Sequence, residues 1–409
     1  MDDKVITHLL YADDLALFSY SIIGLQKLLD GLLRFSQNAS LQINTAKSKI
    51  IVFKKGGILT KHEKWTFAGE RIEVVKNYNY LGVLLSTSGS FSDAYNKLAN
   101  QGLKAFYCLK KSLQRFGDIP IPTLLKLFQS KILPILHFSS EVWGLEEANV
   151  IEKVQHSFCK FILKVPINTS NCAVRAELGC TKLYVPRAIS VIRYWLRIIH
   201  LPPDHICNIC YNYQYALAER GIPCWALTLK QMIFSVGFGE VWLNQCVVNE
   251  KAFLILFEQR LRDIDRQNCF NEISENRKLK LYYSFKHSFT IEKYLISIKT
   301  VKFRQLLSRF RLSAHNLNIE VGRWTNIPTD SRLCSLCTLG LVEDEYHLMF
   351  ICPTYHHFRE TYLPEHLYTF PSRTKFSFLM SSRNSVILIN LSKFLFNSLK
   401  LRNSLIADH

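Results

Sequence analysis

The sequence predicts an α+β protein: a short β-containing N-terminal region, then mostly helix, with a small Cys/His module near the C-terminal end. Three observations predict it. Residues 4–19 (KVITHLLYADDLALFS) set two apolar runs around a polar centre, the pattern of strand, tight turn and strand. From about residue 91 onward apolar residues recur at helical spacing, with Lys and Arg between them. Cys334, Cys337, His347 and Cys352 have the spacing C-x2-C-x9-H-x4-C.

The composition bounds these elements. A chain of 409 residues exceeds one ordinary core and suggests two or three domains, and 48% hydrophobic content excludes a disordered tail. Gly and Pro are sparse, so low-complexity linkers are absent, and no internal repeat is visible. The formal net charge of +18 favours a polyanionic partner, either nucleic acid or an anionic membrane surface. The opening MDDKVITHLL has neither a basic n-region nor an apolar h-region, so the expected location is intracellular, nuclear or cytoplasmic, and not secreted. The 12 cysteines are then reduced thiols, and close pairs among them point to metal rather than disulfides. No stretch is long and apolar enough to predict a membrane span; segment 188–199 carries Arg193 and Arg197 and reads as a core helix.

After the hairpin, Ile22, Leu25, Leu28, Leu29, Leu32 and Phe35 fall on one helical face, which predicts a helix over 22–38 ending near Asn38. Residues 49–53 (KIIVF) read as a strand, and a second strand pair is expected around Gly69–Val75 and Tyr78–Leu85. Helices are expected over 94–116, over 121–145 with an interruption at Pro134, and over 148–164, 184–200, 240–266, 291–312 and 376–402.

The hairpin carries the chemistry. Nucleotidyl transfer uses two divalent metals about 3.5–4 Å apart that grip the attacking and leaving oxygens. Magnesium takes carboxylate and phosphate oxygens. Asp13 and Asp14, at a tight turn between apolar strands, put two carboxylates at one rigid point. The plain alternative is a turn that merely favours Asp.

The segment LLYADDLALFS resembles the motif C hairpin of non-LTR (LINE-type) retrotransposon reverse transcriptases. The segments after the hairpin resemble that family in the same order. The helix 22–38, then Leu41-Gln42-Ile43-Asn44, Lys47-Ser48 and the strand 49–53, resemble motif D. Tyr80-Leu81-Gly82 resembles the motif E turn, the primer grip. The helices from 94 to 145, ending in Glu141-Val142-Trp143-Gly144, resemble the thumb. The resemblance implies a partial palm (β-hairpin plus βαβ remnant) at 1–88, a helical thumb at 89–200, a helical connector at 201–325, a knuckle at 326–365 and a helical tail at 366–409. It implies catalytic roles for Asp13 and Asp14 as magnesium ligands. Lys47 would stabilise or protonate the pyrophosphate leaving group; its plain reading is a solvated strand-edge lysine. On the thumb, Lys104, Lys110, Lys111 and Arg115 are the expected nucleic-acid contacts. An RNA template and a DNA primer are the implied partners, with no membrane.

The family's palm takes a third carboxylate from motif A, far upstream of motif C, yet only 12 residues precede Asp13. Asp2 and Asp3 lack the surrounding strand, and motif B and the fingers are not found. The expectation is a polymerase fragment that is inactive alone, completed by magnesium only if a missing N-terminal half is supplied. No PD…(D/E)xK nuclease arrangement lies beyond the cysteine motif.

Three thiolates and one imidazole suit a closed, structural zinc site, and the two-residue gap lets one turn present two sulfurs. The segment 343–350 (EDEYHLMF) is expected to form a short helix that delivers His347 and Cys352. HNLNIEVGRWTNIP, RLCSLC, EDEYHLMFICPTY and Arg359 together resemble the cysteine-rich C-terminal module of the same family. Arg323, Trp324, Arg332 and Arg359 are its candidate nucleic-acid contacts, although Trp324 could equally pack beneath the knuckle. His205, Cys207, Cys210 and Cys224 read as ordinary cysteines and a histidine rather than a second metal site. Two other functional readings compete: a non-catalytic nucleic-acid-binding protein, and an inert pseudogene product.

Overall fold

The computed structural model describes residues 6–54, 60 and 62–407; Asp2 and Asp3 lie outside the described residues. The fold is α+β, mostly helical with a few small sheets, and the chain divides into two compact units, Met1–Lys97 and Leu98–His409.

In the first unit, β1 (His8–Tyr11) and β2 (Asp14–Leu17) pair antiparallel, with Tyr11 opposite Asp14, so Ala12 and Asp13 form a two-residue turn. The helix Ile22–Asn38 starts where Ser21 accepts from the Gly24 amide, an N-cap that satisfies one of the free amides of the first turn. Its Leu25, Leu29, Leu32 and Leu33 meet Ile50, Trp65, Phe67 and Ile72 in a small core. The Trp65 indole N–H donates to the Ile22 carbonyl at 3.0 Å and ties that core to the helix start.

The remaining strands are short: β3 (Lys49–Ile50), β4 (Thr66–Phe67), β5 (Glu70–Arg71), β6 (Glu73–Val74), β7 (Asn77–Tyr80) and β8 (Val83–Ser86). They form separate two-stranded ribbons, β4 with β5, β7 with β8, and the parallel pair β3 with β6. This corrects two expectations. The strand 49–53 shrinks to Lys49–Ile50. Segments 69–75 and 78–85 do not pair with each other: Leu81 (φ 47°) and Gly82 (φ 85°) make a turn with two positive φ angles, so 77–86 folds on itself.

The second unit is helical. Its expected helix 121–145 is Ile121–Leu127, a wide π-helical turn Phe128–Ile132, Leu133–Leu136 and Ser140–Trp143. The break precedes Pro134, because a proline ring excludes the carbonyl one turn earlier and leaves it without a donor. The central core joins the helices Tyr184–Ile199, Ile206–Glu219, Trp225–Ser235 and Glu250–Glu275. Within it the Trp195 indole donates to Tyr211 Oη at 2.8 Å, and that hydroxyl donates to Gln245 Oε1 at 2.6 Å. The single helix expected over 240–266 is broken: Gln245 turns left-handed (φ 48°), and Asn249 caps a fresh start at Glu250. Likewise 291–312 divides into Lys293–Ser297 and Val301–Arg311, and 376–402 into Arg373–Met380 and Ser385–Ala407.

Buried ion pairs cross this core. Arg311 reaches Glu177 at 2.9 Å and Glu292 at 3.2 Å, with Arg311 1% and Glu177 0% exposed at the side chain. Arg175 pairs with Asp265 at 2.9 Å and Arg187 with Glu152 at 3.2 Å. Burial alone would raise the Glu177 carboxyl; Arg311 and Lys286 outweigh it and hold the pKa below the ordinary carboxylate value. Among the described residues no helix is long and apolar enough to cross a membrane.

Candidate functional site

The four sequence-predicted ligands come together. Cys334, Cys337, His347 and Cys352 each offer one donor atom, and these atoms all lie within 4.8 Å of one another. Cys337 Sγ stands 3.5 Å from His347 Nε2, and Cys334 Sγ stands 4.0 Å from Cys352 Sγ. An ion bound tetrahedrally, with sulfur at about 2.3 Å and nitrogen at about 2.0–2.1 Å, spaces its donors about 3.5–3.8 Å apart. The donor set and the spacing therefore fit zinc. Three thiolates and an imidazole fill all four positions, so the ion would brace the fold and activate no water. The contact between the Cys334 and Cys352 sulfurs pushes the first thiol's pKa up and the second's down.

Local backbone bonding presents these donors. Leu333 and Val342 bridge antiparallel, the Cys334 amide donates to the Leu341 carbonyl at 2.9 Å, and Gly340 (φ 64°) lies in the loop between them. Cys334 and Cys337 thus sit on one small hairpin. His347 opens a π-helical turn, His347–Ile351, where the sequence predicts a short helix over 343–350, and the Cys352 amide closes it on the His347 carbonyl at 2.8 Å. Thr354 Oγ1 donates to the Leu336 carbonyl at 2.9 Å and joins the two halves.

The acidic run before His347 faces inward. Glu343, 1% exposed, accepts from Arg402 Nε and Nη2, both at 2.6 Å, and from the Asn318 amide at 2.7 Å. Asp344 accepts from the His347 amide at 2.7 Å, and Glu345 accepts from Ser313 Oγ and His315 Nε2, each at 2.9 Å. The knuckle is thereby tied to the C-terminal helix Ser385–Ala407 through Arg402. The sequence shows an acidic cluster here but not its buried partners.

The arginines of this module are held by protein groups. Arg359 is 3% exposed, and its Nη2 donates to the Cys352 carbonyl at 2.7 Å. That burial removes it from the expected phosphate-facing set and makes it a brace of the pocket. Arg332 donates to the Ile327 and Ile319 carbonyls, and Arg323 pairs with Glu320 at 3.0 Å. Trp324 is 65% exposed, so it does not lie beneath the knuckle.

Asp13 lies in the exposed β1–β2 turn and Asp14 opens β2; Ala12 (φ 53°) makes the bend. Leu10 (70%) and Tyr11 (66%) beside them are also exposed. Lys47 is exposed in a turn where Asn44 Oδ1 accepts from its amide and the Tyr78 hydroxyl donates to its carbonyl at 3.2 Å. Among the described residues no hydrogen bond or ion pair joins Lys47 to Asp13 or Asp14. Tyr80 ends β7, and Leu81-Gly82 are the β7–β8 turn. Lys104, Lys111 and Arg115 are exposed, and Lys110 is half-buried against Phe161. His205 caps its helix by accepting from the Cys207 amide, Cys207 and Cys224 pack on the apolar core, and Cys210 is exposed.

No protein-family model matches the chain. It is similar to an uncharacterized transposon-derived protein of Caenorhabditis elegans, 24% identical over 148 residues. The match covers 36% of this chain and 52% of that protein, so the chain spans about half the length of the relative it matches.

Proposed function

We propose that the chain is a transposon-derived part of an RNA-directed DNA polymerase of the non-LTR retrotransposon type. Its hairpin would lie at the polymerase centre, and its zinc knuckle would brace the C-terminal region. The observation that carries this reading is the Tyr11-Ala12-Asp13-Asp14 turn, which lifts two carboxylates to the exposed tip of an apolar hairpin. The similarity to a transposon-derived protein supports the same origin. In this reading Asp13 and Asp14 hold magnesium, which when bound polarises the phosphate oxygens of the incoming nucleotide. Lys47 stands ready to protonate pyrophosphate, and the Leu81-Gly82 turn seats the primer end. Two carboxylates are too few for an all-protein magnesium cage, so the site works with further carboxylates and with substrate phosphates.

The test is magnesium-dependent extension of a DNA primer on an RNA template. The chain is assayed alone and with a polypeptide supplying the family's motif A and motif B segments. Extension in the mixture that disappears with Asp13→Ala supports the reading, and extension indifferent to Asp13 overturns it. A second reading, a nucleic-acid-binding protein without catalysis, is favoured by one observation: β1 and β2 pair with no third strand among the described residues. Salt-sensitive binding with no extension in either assay would select it.

A further inference from the structure

Two cations from separate segments of the second unit flank one aromatic ring, and a third, from another helix, is bonded to the backbone beside it. Lys164 Nζ lies 4.4 Å and Lys110 Nζ 5.5 Å from the ring centre of Phe161. Arg309, from the helix Val301–Arg311, donates through Nε to the Lys164 carbonyl at 3.0 Å. None of the three has an acidic partner among the described residues. Asp118, which lies beyond the end of the helix bearing Lys110, is committed to Arg304 through two bonds of 3.0 and 2.6 Å. That bidentate pair also fastens the helix carrying Arg309. Like charges held together without a counter-charge repel one another, at a cost that a bound anion removes.

The position of Lys164 adds a second sign. It ends the helix Asn149–Leu163 in the left-handed conformation (φ 55°), where glycine is the usual occupant. A lysine there costs about 1 kcal/mol of backbone strain. Aromatic contacts continue from the cations: the buried Phe106 meets Phe161 edge-on at 5.6 Å and stacks on Tyr107 at 5.4 Å, and Tyr107 is 59% exposed one turn before Lys110. Convergent cations beside an accessible aromatic face suit a sugar–phosphate backbone whose bases are free to stack.

We propose that Lys110, Lys164 and Arg309 hold the phosphates of a single-stranded nucleic acid against Phe161, with Tyr107 as the platform for an unpaired base. The proposal rests on the nucleic-acid reading above but not on the hairpin carboxylates. It is tested by titrating the full chain with a fluorescent twenty-nucleotide oligo(dT), without added magnesium or nucleotide, across a range of salt. The triple variant Lys110→Gln/Lys164→Gln/Arg309→Gln is expected to bind at least ten-fold more weakly, and the magnitude of its log–log salt slope falls by about 2. Lys164→Gly separates binding from folding: it relieves the left-handed strain, so it should melt no lower than the parent while still binding more weakly. Tyr107→Leu should weaken oligo(dT) without changing the salt slope. Parental affinity in the triple variant overturns the proposal, as does binding to duplex as tight as to single strand. Loss of binding to phosphatidylserine vesicles, with oligo(dT) binding intact, would assign the patch to a membrane surface and also overturn it. Failure of the primer-extension assay with these binding results intact would overturn the polymerase reading alone.

Discussion

In Met1–Lys97 the carboxylates Asp13, Asp14, Glu70 and Glu73 stand in solvent, whereas in Leu98–His409 Glu152, Glu177, Asp265, Glu343 and Glu345 are buried against cations or hydrogen-bond donors. The first unit has a small core around Leu29, Trp65 and Phe67 and several two-residue strands. The second spans many helices with arginines threaded through them. Glu73 pairs with Lys49 at 2.9 Å and Glu70 accepts from Thr45 Oγ1 at 3.1 Å, contacts that add little to stability at such exposure. Buried carboxylates are committed to internal partners, and removing a single partner leaves an uncompensated charge. The same residue type therefore stands at the surface in one unit and is built into the core in the other.

That contrast can be broken or sharpened by experiment, and the largest effect should come from the metal centre. The purified chain is expected to carry one zinc per molecule by elemental analysis. Cys352→Ala should lose it, and hydrogen exchange should then rise across residues 315–362, because metal binding to such a site contributes about 10 kcal/mol or more. Zinc retained in that variant would refute the four-ligand assignment. Next comes Arg311→Met, which strands Glu177 in the core; denaturant unfolding should show a loss of about 3–5 kcal/mol, and a loss below about 1 kcal/mol would show that the fold does not depend on the pair.

A pH effect ranks third. Burial, with the Arg187 charge added, pushes His137 down to about 3, and burial with Arg175, Lys160 and Lys182 pushes His156 down to about 4. Both imidazoles are neutral in the fold, while in the unfolded chain they take up protons below pH about 6.5. Their contribution is complete above that value and drains away as pH falls toward 4, at up to about 1.4 kcal/mol per pH unit for each histidine. His137→Gln should flatten this slope in denaturant melts recorded between pH 6.5 and 4.5; an unchanged slope would sink the assignment. The smallest effect is expected in the first unit. Leu10→Ser, on the uncovered face of the hairpin, should shift stability by no more than about 0.5 kcal/mol. A loss of several kcal/mol there would mean that β1 is covered in the folded chain.

Much of this was readable in the residues where a local rule acts alone. The helix Ile22–Asn38 and the hairpin turn at Ala12-Asp13 come directly from periodicity and turn chemistry, and the C-x2-C-x9-H-x4-C spacing located the Cys/His cluster that could hold a metal. The misses lie where tertiary partners decide. Nothing near Gln245 signals a left-handed break; Trp242 is buried in the core while Gln245 bonds the Tyr211 hydroxyl, and the helix restarts only at the Asn249 cap. Arg359 looks like any surface arginine until Cys352 offers it a buried carbonyl. Lys110, Lys164 and Arg309 come from segments far apart in sequence, so composition could report an excess of charge but not where it collects.

The tie between Glu343 and Arg402 sets an order of events during biosynthesis. A ribosome delivers Cys334, Cys337, His347 and Cys352 well before it delivers Arg402. Throughout that interval Glu343 lacks the cation that meets it in the fold, so its burial is completed only when the helix Ser385–Ala407 docks, after the four ligands are made.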